Sequence, residues 1–434
     1  MRKKFFLLAV GGFALALLAA PNSLFAAEYS LAELYKLALA RSEVLKVAEE
    51  NLVIAGIGKE KAVSYLLPRM TATAGVTHYS EKKLGATNNI IQPESSAAWG
   101  VRLDETVSLS GRELTALGIS RQAVTKSRYD VTAIREDYLL RFVAAAYYNV
   151  LMARKVLAIA DANLERLSKY REATEKRLRI GEVTKTALLR AEGELSGARS
   201  DRLQAQNALD LALAVLARNV GIKDAFSLRE DEDAVAGEIP ALEAFREKAF
   251  ATRADLKSLE VQKQIVADQV KIAEGAFWPT LSLSAVYSGA DQNPASTNLN
   301  RESIYGGAAL NFPFFEGGLR KAELAEAKAR ERQAALFYED LKKGIGIEVQ
   351  SAYLDLLTQK GILQFLADQL SFARENYQAV TRQFDFGLSN SLDVLDANTL
   401  LVSAETKAVS ALYNYRLASL RMRKAIGMLL HDES

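Results

Sequence analysis

The sequence predicts a mainly α-helical protein with four β-strands, built from two tandem copies of one unit. Three observations support this class. Apolar residues recur at alternating spacings of four and three over long stretches, short alternating stretches follow two prolines, and motifs of the first half return 206 positions later. An apolar residue every 3.5 positions is typical of helices that form left-handed coiled coils.

The first segment, residues 1–26, has the layout of a secretory signal peptide. A basic start, Arg2 to Lys4, precedes an apolar run from Phe5 to Ala20 that is too short for a comfortable membrane span. We predict cleavage after Ala26, although Leu24 stands where such sites usually have a small residue. The mature chain is therefore expected to be exported.

In each half, a helical stretch ends at a proline and a strand-like stretch follows. Pro68 and Pro279 end these helices, because proline lacks the amide proton and clashes with the preceding turn. Four stretches then alternate apolar residues with small or polar ones: Met70 to Val76, Ala97 to Leu103, Leu281 to Tyr287 and Ile304 to Phe312. A barrel strand between lipid and water needs this alternation over about ten residues.

Each strand taken alone fits a half-buried hairpin of a soluble protein equally well. The matched placement of four strands, joined in pairs by polar loops, favours a membrane barrel. Four strands cannot close a barrel, because bacterial barrels begin at about eight strands. We therefore expect the barrel to be shared between chains.

Long helical hairpins follow the strands. The heptad stretches begin near Leu139 and Ile345, and they resume after glycine turns at Gly181 and Gly387. The helix entering the first hairpin is predicted from about Arg112 to Ile180, which at 1.5 Å per residue is about 100 Å long. A helix of this length is longer than a single globular core accommodates. Each half is therefore expected to form an antiparallel coiled-coil hairpin, either a spacer or the wall of a tube.

A linker separates the two halves. Gly221, an acidic run that begins at Glu230, and Pro240 mark it. The predicted organisation is a signal peptide (1–26), a first repeat (27–222), a linker (223–240) and a second repeat (241–430).

The composition argues against catalysis and nucleic-acid binding. The 434 residues include no cysteine and two histidines, and the formal net charge is +2. These values exclude disulfides and thiolate metal sites, and they give no strong field for attracting nucleic acid. No nucleophile-and-base constellation is present, and no uninterrupted apolar run of about 18 residues predicts a transmembrane helix. We predict that the protein is not an enzyme and needs no cofactor.

The layout resembles the TolC-like outer-membrane efflux protein family. The resemblance rests on the proline-ended helices in SYLLP and AFWPTLSLS, the stretch FPFFEGGLRKAEL, the helical segments AAAYYNVL and SAYLDLL, and the turn motifs RIGEVTKTALLRAEGEL and FDFGLSNSLDVLDANTLL. It covers essentially the whole mature chain and both repeats.

The resemblance implies a homotrimer in the outer membrane of a Gram-negative bacterium. Each chain would give four strands to a twelve-stranded β-barrel in contact with outer-membrane lipid, and four helices to a long periplasmic α-barrel. Such proteins are passive exit ducts of tripartite efflux or type I secretion systems. Their partners are a periplasmic adaptor (a membrane fusion protein) and an inner-membrane transporter of the RND, ABC or MFS type, with no nucleic acid. The alternative is a non-conducting periplasmic coiled-coil scaffold, which an absence of strand alternation would favour.

Two carboxylates, Asp393 and Asp396, stand among apolar residues just after the second turn. The resemblance places this turn at the inner end of the tube, and helix positions three apart share a face. Three chains would then form a ring of six acids, which favours cations at the entrance. The alternative for Asp393 is an ordinary place near a helix N-terminus, with Ser389, Asn390 or Ser391 as the cap.

The first turn carries the opposite charge. Ala187 and Arg190 match Asp393 and Asp396, and Lys185 lies nearby. We predict that Lys185 or Arg190 pairs with Asp393 or Asp396 and helps to hold the entrance shut. The resemblance also implies that exposed turn residues contact the adaptor: Gly181, Glu182, Val183, Thr184, Gly387, Leu388 and Ser389. For the two glycines, a turn that needs φ > 0 is a sufficient explanation.

Overall fold

A computed structural model describes residues 27–230, 239–296 and 299–430. The predicted signal peptide and most of the linker's acidic run lie outside the described residues. The described part is mainly helical with a smaller share of strands, which confirms the predicted class.

The first half consists of two short helices, the first strands and a long hairpin. In chain order its elements are β1 (Ala27–Tyr29), α1 (Leu31–Arg41), α2 (Glu43–Ser64), β2 (Arg69–His78), β3 (Lys83–Leu84), β4 (Ile90–Gln92), β5 (Ser95–Ser108), α3 (Arg112–Tyr138), a π-helical turn (Leu139–Ala144), α4 (Ala145–Arg179) and α5 (Lys185–Val220).

The second half repeats this plan. Its elements are β6 (Phe226–Leu228), α6 (Leu242–Thr252), α7 (Ala254–Gly275), β7 (Thr280–Asn293), β8 (Glu302–Asn311), α8 (Leu319–Asp385) and α9 (Ser391–Ala425). β6 lies within the predicted linker and pairs in parallel with β1, so the linker is attached to the start of the first repeat.

Four strands form one antiparallel sheet in the order β2-β5-β7-β8. The two inner strands span 14 residues each and the two edge strands 10 each. β2 begins directly after Pro68 and β7 directly after Pro279, as the sequence predicts. β2 and β8 each have one partner strand in the described part of the chain, so both edges of the sheet are open.

The two faces of this sheet differ in polarity. One row of facing residues is Ala72, Val101, Tyr287 and Ile304. The neighbouring row, on the opposite face, is Thr71, Arg102, Val286 and Tyr305. We call these the apolar face and the polar face. The alternation predicted from the sequence is therefore confirmed. An absence of alternation would have favoured the non-conducting scaffold, and these four strands do alternate.

The first long helix holds one residue more than its counterpart. Arg112–Arg179 spans 68 residues, whereas α8 spans 67. The glycines before these helices are 207 positions apart and those after them 206 apart: Gly111 and Gly318, then Gly181 and Gly387. The π-helical turn Leu139–Ala144 accommodates the extra residue, because its turn is wider than an α-helical one.

This same helix passes through a core cluster. Residues of the π-turn and of α4 are buried there against α1 and α5: Leu139, Val143, Tyr147, Leu151, Leu34 and Leu216. By length and composition, one 18-residue window of Arg112–Arg179 is apolar enough to cross a membrane, and 39% of that window is buried inside the protein. This segment is not predicted from the sequence, because it contains no long uninterrupted apolar run, although the window is apolar on average.

The long helices pair as predicted. α4 packs against α5, α8 packs against α9, and α4 packs against α9, which gives the order α5-α4-α9-α8. Nearer the sheet the order is α2-α3-α7-α8. Small seam residues that the heptad pattern predicted are buried, among them Ala198, Ala205, Ala404 and Ala411.

The sheet and the two helical layers share the same two outer margins. One margin of the chain carries β2, α2 and α5, and the other carries β8 and α8. Large apolar side chains are exposed on both margins: Val53, Ile54 and Ile57 on α2, Leu203 and Leu211 on α5, and Phe337, Ile347, Phe365 and Phe372 on α8.

Candidate functional site

The two hairpin turns have the same backbone geometry. Gly181 has φ of +82° and Gly387 has φ of +74°, which is the left-handed region that favours glycine. In each turn the amide after the glycine donates to the carbonyl five residues earlier: Glu182 to Arg177 at 2.9 Å and Leu388 to Gln383 at 2.8 Å. This bond is that of a Schellman motif, so turn geometry accounts for both glycines.

A capping box closes the second tip. The Asn390 side-chain oxygen accepts hydrogen bonds from the amides of Leu392 at 2.8 Å and Asp393 at 3.1 Å. The Asp393 carboxylate accepts from the Asn390 amide at 3.1 Å and from the Ser389 hydroxyl at 2.9 Å. Asn390 is therefore the cap of α9, and Asp393 has the local role that the alternative interpretation gave it.

The first tip has a simpler cap. The Thr184 hydroxyl oxygen accepts one hydrogen bond, from the Ala187 amide at 3.3 Å. Ala187 stands where the second tip has Asp393, so no carboxylate is available for the reciprocal bond.

The four charged residues predicted at the entrance are all exposed. Asp393 and Asp396 lie on the solvent side of α9, and Lys185 and Arg190 lie on the solvent side of α5. Across residues 27–230, 239–296 and 299–430, no ion pair joins either base to either acid. Since the pair does not form inside the described part of one chain, it stays a prediction about contacts between chains.

The turn residues predicted to contact an adaptor are accessible. Gly181, Glu182, Thr184, Gly387 and Leu388 are exposed, and Val183 and Ser389 are half-buried. Each tip also presents large apolar side chains beside its glycine: Ile180 at the first, and Phe386 and Leu388 at the second.

Sequence reasoning missed the contacts that join the two hairpins near their tips. Arg177 of α4 donates to the carbonyls of Phe384 at 2.8 Å and Asp385 at 3.2 Å, and its guanidinium carbon lies 4.2 Å from the Phe384 ring centroid. The Tyr170 hydroxyl donates to the Ser391 carbonyl at 2.9 Å. A cation at the last carbonyls of α8 is stabilised by the helix dipole.

A buried polar layer joins α4 to α9 farther from the tips. Asn398 donates to the Asn163 side-chain oxygen at 2.8 Å, and Arg166 donates to Asn398 at 3.0 Å and to Glu405 at 3.4 Å. Both asparagines are buried. A polar pair in an apolar seam fixes the register of two helices. The available sequence signal was an asparagine inside the stretch DVLDANTLL.

A buried charged cluster lies where α7 begins. Arg253 donates to both carboxylate oxygens of Asp255 at 3.0 and 2.6 Å, to Glu348 at 2.6 Å and to the Ala425 carbonyl at 3.2 Å. Lys424 donates to the other oxygen of Glu348 at 2.9 Å. These bonds compensate the buried guanidinium and tie α7, α8 and α9 together.

Glu136 of α3 is buried beside this cluster, with 6% of its surface exposed. It lines a cavity of about 320 Å³ together with Arg253, Asp255 and Lys424. Burial raises the pKa of Glu136 to about 7, although Lys424 and Arg253 act in the opposite direction. Near neutral pH, this carboxyl group is therefore divided between its protonated and ionised forms.

No group of three or more His, Asp or Glu side chains could hold a metal ion within the ranges that the structure describes. The tips of the long hairpins present exposed charges, exposed apolar side chains and tight turns.

The described chain matches the family model "Outer membrane efflux protein" over residues 34–221 and 246–428. It is 26% identical over 382 residues to the outer membrane protein TolC of Vibrio cholerae, which covers 85% of this chain and 84% of that protein. It is 24% identical over 396 residues to the outer membrane efflux protein BepC of Brucella suis, which covers 86% and 85%.

The fold is similar to that of a solved channel. A crystal structure of CusC superposes with a TM-score of 0.81 at 19% identity, and it covers 93% of both chains. At this identity the likeness concerns the fold alone.

Proposed function

Because this chain belongs to the outer membrane efflux protein family, and is therefore an outer-membrane exit channel of a tripartite efflux or secretion system, we propose that its hairpin tips form the entrance of the duct. Such channels lie in the Gram-negative outer membrane and extend into the periplasm. One observation carries the proposal: a sheet with an apolar face stands at one end of continuous helices of 67 and 68 residues, and exposed charged tips stand at the other. The two ends are about 100 Å apart.

Members of the family form trimeric channels, and they are channel proteins rather than enzymes. In our proposal, β8 of each protomer pairs with β2 of the next, so that three chains complete a twelve-stranded barrel. The open edges support this arrangement, because β2 and β8 are exposed along nearly their whole length. The exposed apolar residues of α8 would pack against α2 and α5 of the neighbour.

The second tip would supply the acid ring of the entrance. Asp393 and Asp396 are exposed on one side of α9, and three protomers would bring six carboxylates together. Hydrogen bonds from the Ser389 hydroxyl and the Asn390 amide hold the Asp393 carboxylate at a fixed place beside the turn. A fixed ring of acids attracts cations and repels anions.

The basic first tip would face this ring in the assembly. Lys185 and Arg190 are exposed and form no ion pair with the two acids inside the described ranges of a chain, so a pair would join neighbouring protomers. Such contacts would help to hold the entrance shut.

The turns themselves would dock the periplasmic adaptor, which in turn binds an inner-membrane transporter of the RND, ABC or MFS type. Phe386 and Leu388 are each 80% exposed, and Ile180 is 70% exposed. Exposed apolar side chains of this size at the end of a rod mark a surface for another protein.

The test is ion selectivity in planar lipid bilayers under a KCl gradient. We expect the purified trimer to conduct and to prefer K⁺, and we expect Asp393→Asn with Asp396→Asn to lower that preference by about threefold or more. Glu81→Gln is the matched control, because its carboxyl group is exposed beside the short β3–β4 hairpin, at the opposite end from the tips. Absence of conductance would contradict the channel, and unchanged selectivity would contradict the acid ring.

Charge reversal tests the proposed pairs. Lys185→Glu and Asp396→Lys should each raise the conductance of the closed channel by breaking an attractive contact. Combining them should restore the original value if these two residues pair. If none of the four base-and-acid combinations restores it, the entrance is held shut by other contacts.

A further inference from the structure

The polar face of the sheet carries charge at the end nearer the helices. Arg102 donates through Nε to both carboxylate oxygens of Asp104, at 2.7 and 2.8 Å. Arg69 lies directly opposite Asp104 on the neighbouring strand β2. Arg102 therefore binds Asp104, Arg69 occupies the facing position on β2, and the three side chains together carry one net positive charge.

The other charged residues of these strands lie on the apolar face. Glu105 faces Leu283, Asp291 faces Ala97, and Glu302 faces Gly289 in the register of the sheet. Glu105 stands at the helix end of its strand, and Asp291 and Glu302 stand at the loop end. In β2, β5, β7 and β8, the charges on the polar face are therefore those of Arg69, Arg102 and Asp104.

The polar face is the face toward water if the apolar face meets lipid. We propose that Arg69 and Arg102 of three protomers form a cationic belt inside the barrel, which favours the passage of anions and of solutes that carry carboxylate or phosphate groups. The inference rests on the proposed trimeric channel. It assigns to the helix-proximal end of the barrel a preference opposite in sign to that of the tips.

Assembly would not neutralise this belt. β8 is the strand that would pair with β2 of the neighbour, and its polar face carries Ser303, Tyr305, Gly307, Ala309 and Asn311, without a charge. The hydrogen bonds from Arg102 to Asp104 also limit the movement of that guanidinium. Guanidinium groups bind carboxylates and phosphates in a planar, two-point geometry.

The size of the barrel makes such a belt effective. Barrels of about eight strands are filled by side chains, and those of about sixteen enclose a wide aqueous channel, so twelve strands give a lumen of intermediate width. Salt screens a charge over about 8 Å at physiological ionic strength. Arginine side chains that project inward from three sides therefore act over much of the cross-section.

The experiment separates the belt from the tips. In a background with Asp393→Asn and Asp396→Asn, which removes the proposed acid ring, we expect the reversal potential in a KCl gradient to indicate a preference for Cl⁻. Adding Arg69→Gln and Arg102→Gln should lower that preference by about twofold or more, and adding Asp104→Asn should raise it. Arg102→Lys keeps the charge and should keep the preference. Lys83→Gln, in the β3–β4 hairpin, is the matched control.

The possible results have distinct meanings. Absence of conductance in every variant, including the unmodified protein, would contradict the channel itself. If the channel conducts but substitutions at Arg69, Arg102 and Asp104 leave its ion selectivity unchanged, the belt is overturned and the channel is not. If Arg102→Gln does not assemble, Arg69→Gln alone decides, because Arg69 is exposed on an edge strand, and an unchanged reversal potential in that variant overturns the belt.

Discussion

Ser42 and Arg253 occupy equivalent places in the two halves of the chain, each between the two short helices that lead into the sheet. Their backbones are nearly the same, with φ and ψ of −62° and 126° at Ser42 and −57° and 124° at Arg253. Both side chains are buried. The Ser42 hydroxyl lacks a hydrogen-bond partner among the described residues, whereas Arg253 binds two carboxylates and a carbonyl.

The hairpin tips repeat this relation. Gly181 and Gly387 form the same turn, but Thr184 caps its helix with one hydrogen bond and Asn390 forms a full capping box with Asp393. The two copies therefore share their backbone geometry at this helix junction and at the hairpin turns. The side chains at these positions differ: the second copy has Arg253 and the capping box of Asn390, where the first has Ser42 and the single cap bond of Thr184.

Removal of Arg253 should have the largest effect on stability. Arg253→Ala leaves Asp255 and Glu348 without their partner, and we expect a loss of about 2 to 4 kcal/mol in the free energy of unfolding. This is below the value for a fully buried pair, because the Asp255 and Glu348 side chains are 33% and 40% exposed. Denaturant unfolding in detergent, followed by circular dichroism, measures it.

Ser42→Ala is the matched change in the first half. It removes a buried hydroxyl that has no partner, so we expect a change within about 0.5 kcal/mol or a slight gain. Equal losses for Ser42→Ala and Arg253→Ala would mean that the two junctions depend on the same packing and that the charged cluster adds nothing.

Glu136 provides a further comparison of the two halves, through the pH dependence of stability. At the offset of 207 that relates Gly111 to Gly318, Glu136 corresponds to Lys343, which is exposed. The pKa of Glu136 is raised from 4.5 to about 7, so the folded state binds its proton more tightly than the unfolded state does. The resulting stability is present below about pH 4.5 and is lost as pH rises through about 7.

We therefore expect Glu136→Gln to be more stable than the unmodified protein at pH 8, by up to about 3 kcal/mol, with little difference at pH 4.5. Denaturant unfolding across this range measures the gap, and Lys343→Gln should show no such dependence. A gap that stays constant from pH 4.5 to 8 would mean that Glu136 does not titrate in this range.

Loss of either helix cap should have a smaller effect than loss of Arg253. We expect Asn390→Ala to cost about 1 to 2 kcal/mol at the start of α9 and Thr184→Ala about 0.5 to 1 kcal/mol at the start of α5. The difference follows from the number of hydrogen bonds and from the 3.3 Å length of the single Thr184 bond. Hydrogen exchange of the first-turn amides reports each tip separately, and the reverse order of effects would contradict the assigned roles.

Periodicity explains what could be predicted from the sequence. The prolines at 68 and 279 placed the starts of β2 and β7, alternation placed the two faces of the sheet, and the heptad spacing placed the buried seam of α5 and α9. Each of these is a local pattern whose period equals that of the element it forms. The resemblance to a known family rested on the same patterns.

Contacts between segments distant in sequence could not be predicted in this way. Arg177 and Asn163 look like ordinary polar helix residues until α4 is placed against α8 and α9. The π-helical turn is signalled only by a shift of one in the spacing of flanking glycines, which the heptad pattern does not show. For Asp393, the sequence left a capping role and a ring open, and the capping box accounts for one without deciding the other.

The unpaired margins of the sheet also constrain how such a duct can be made. In the described chain, β2 and β8 each leave one row of amide and carbonyl groups without a strand partner. Hydrocarbon cannot form hydrogen bonds with these groups as water does, so the insertion of a lone subunit into a bilayer is strongly unfavourable in free energy. Strand pairing between subunits must then precede or accompany insertion, and the yield of finished ducts should rise steeply with the supply of newly exported subunits.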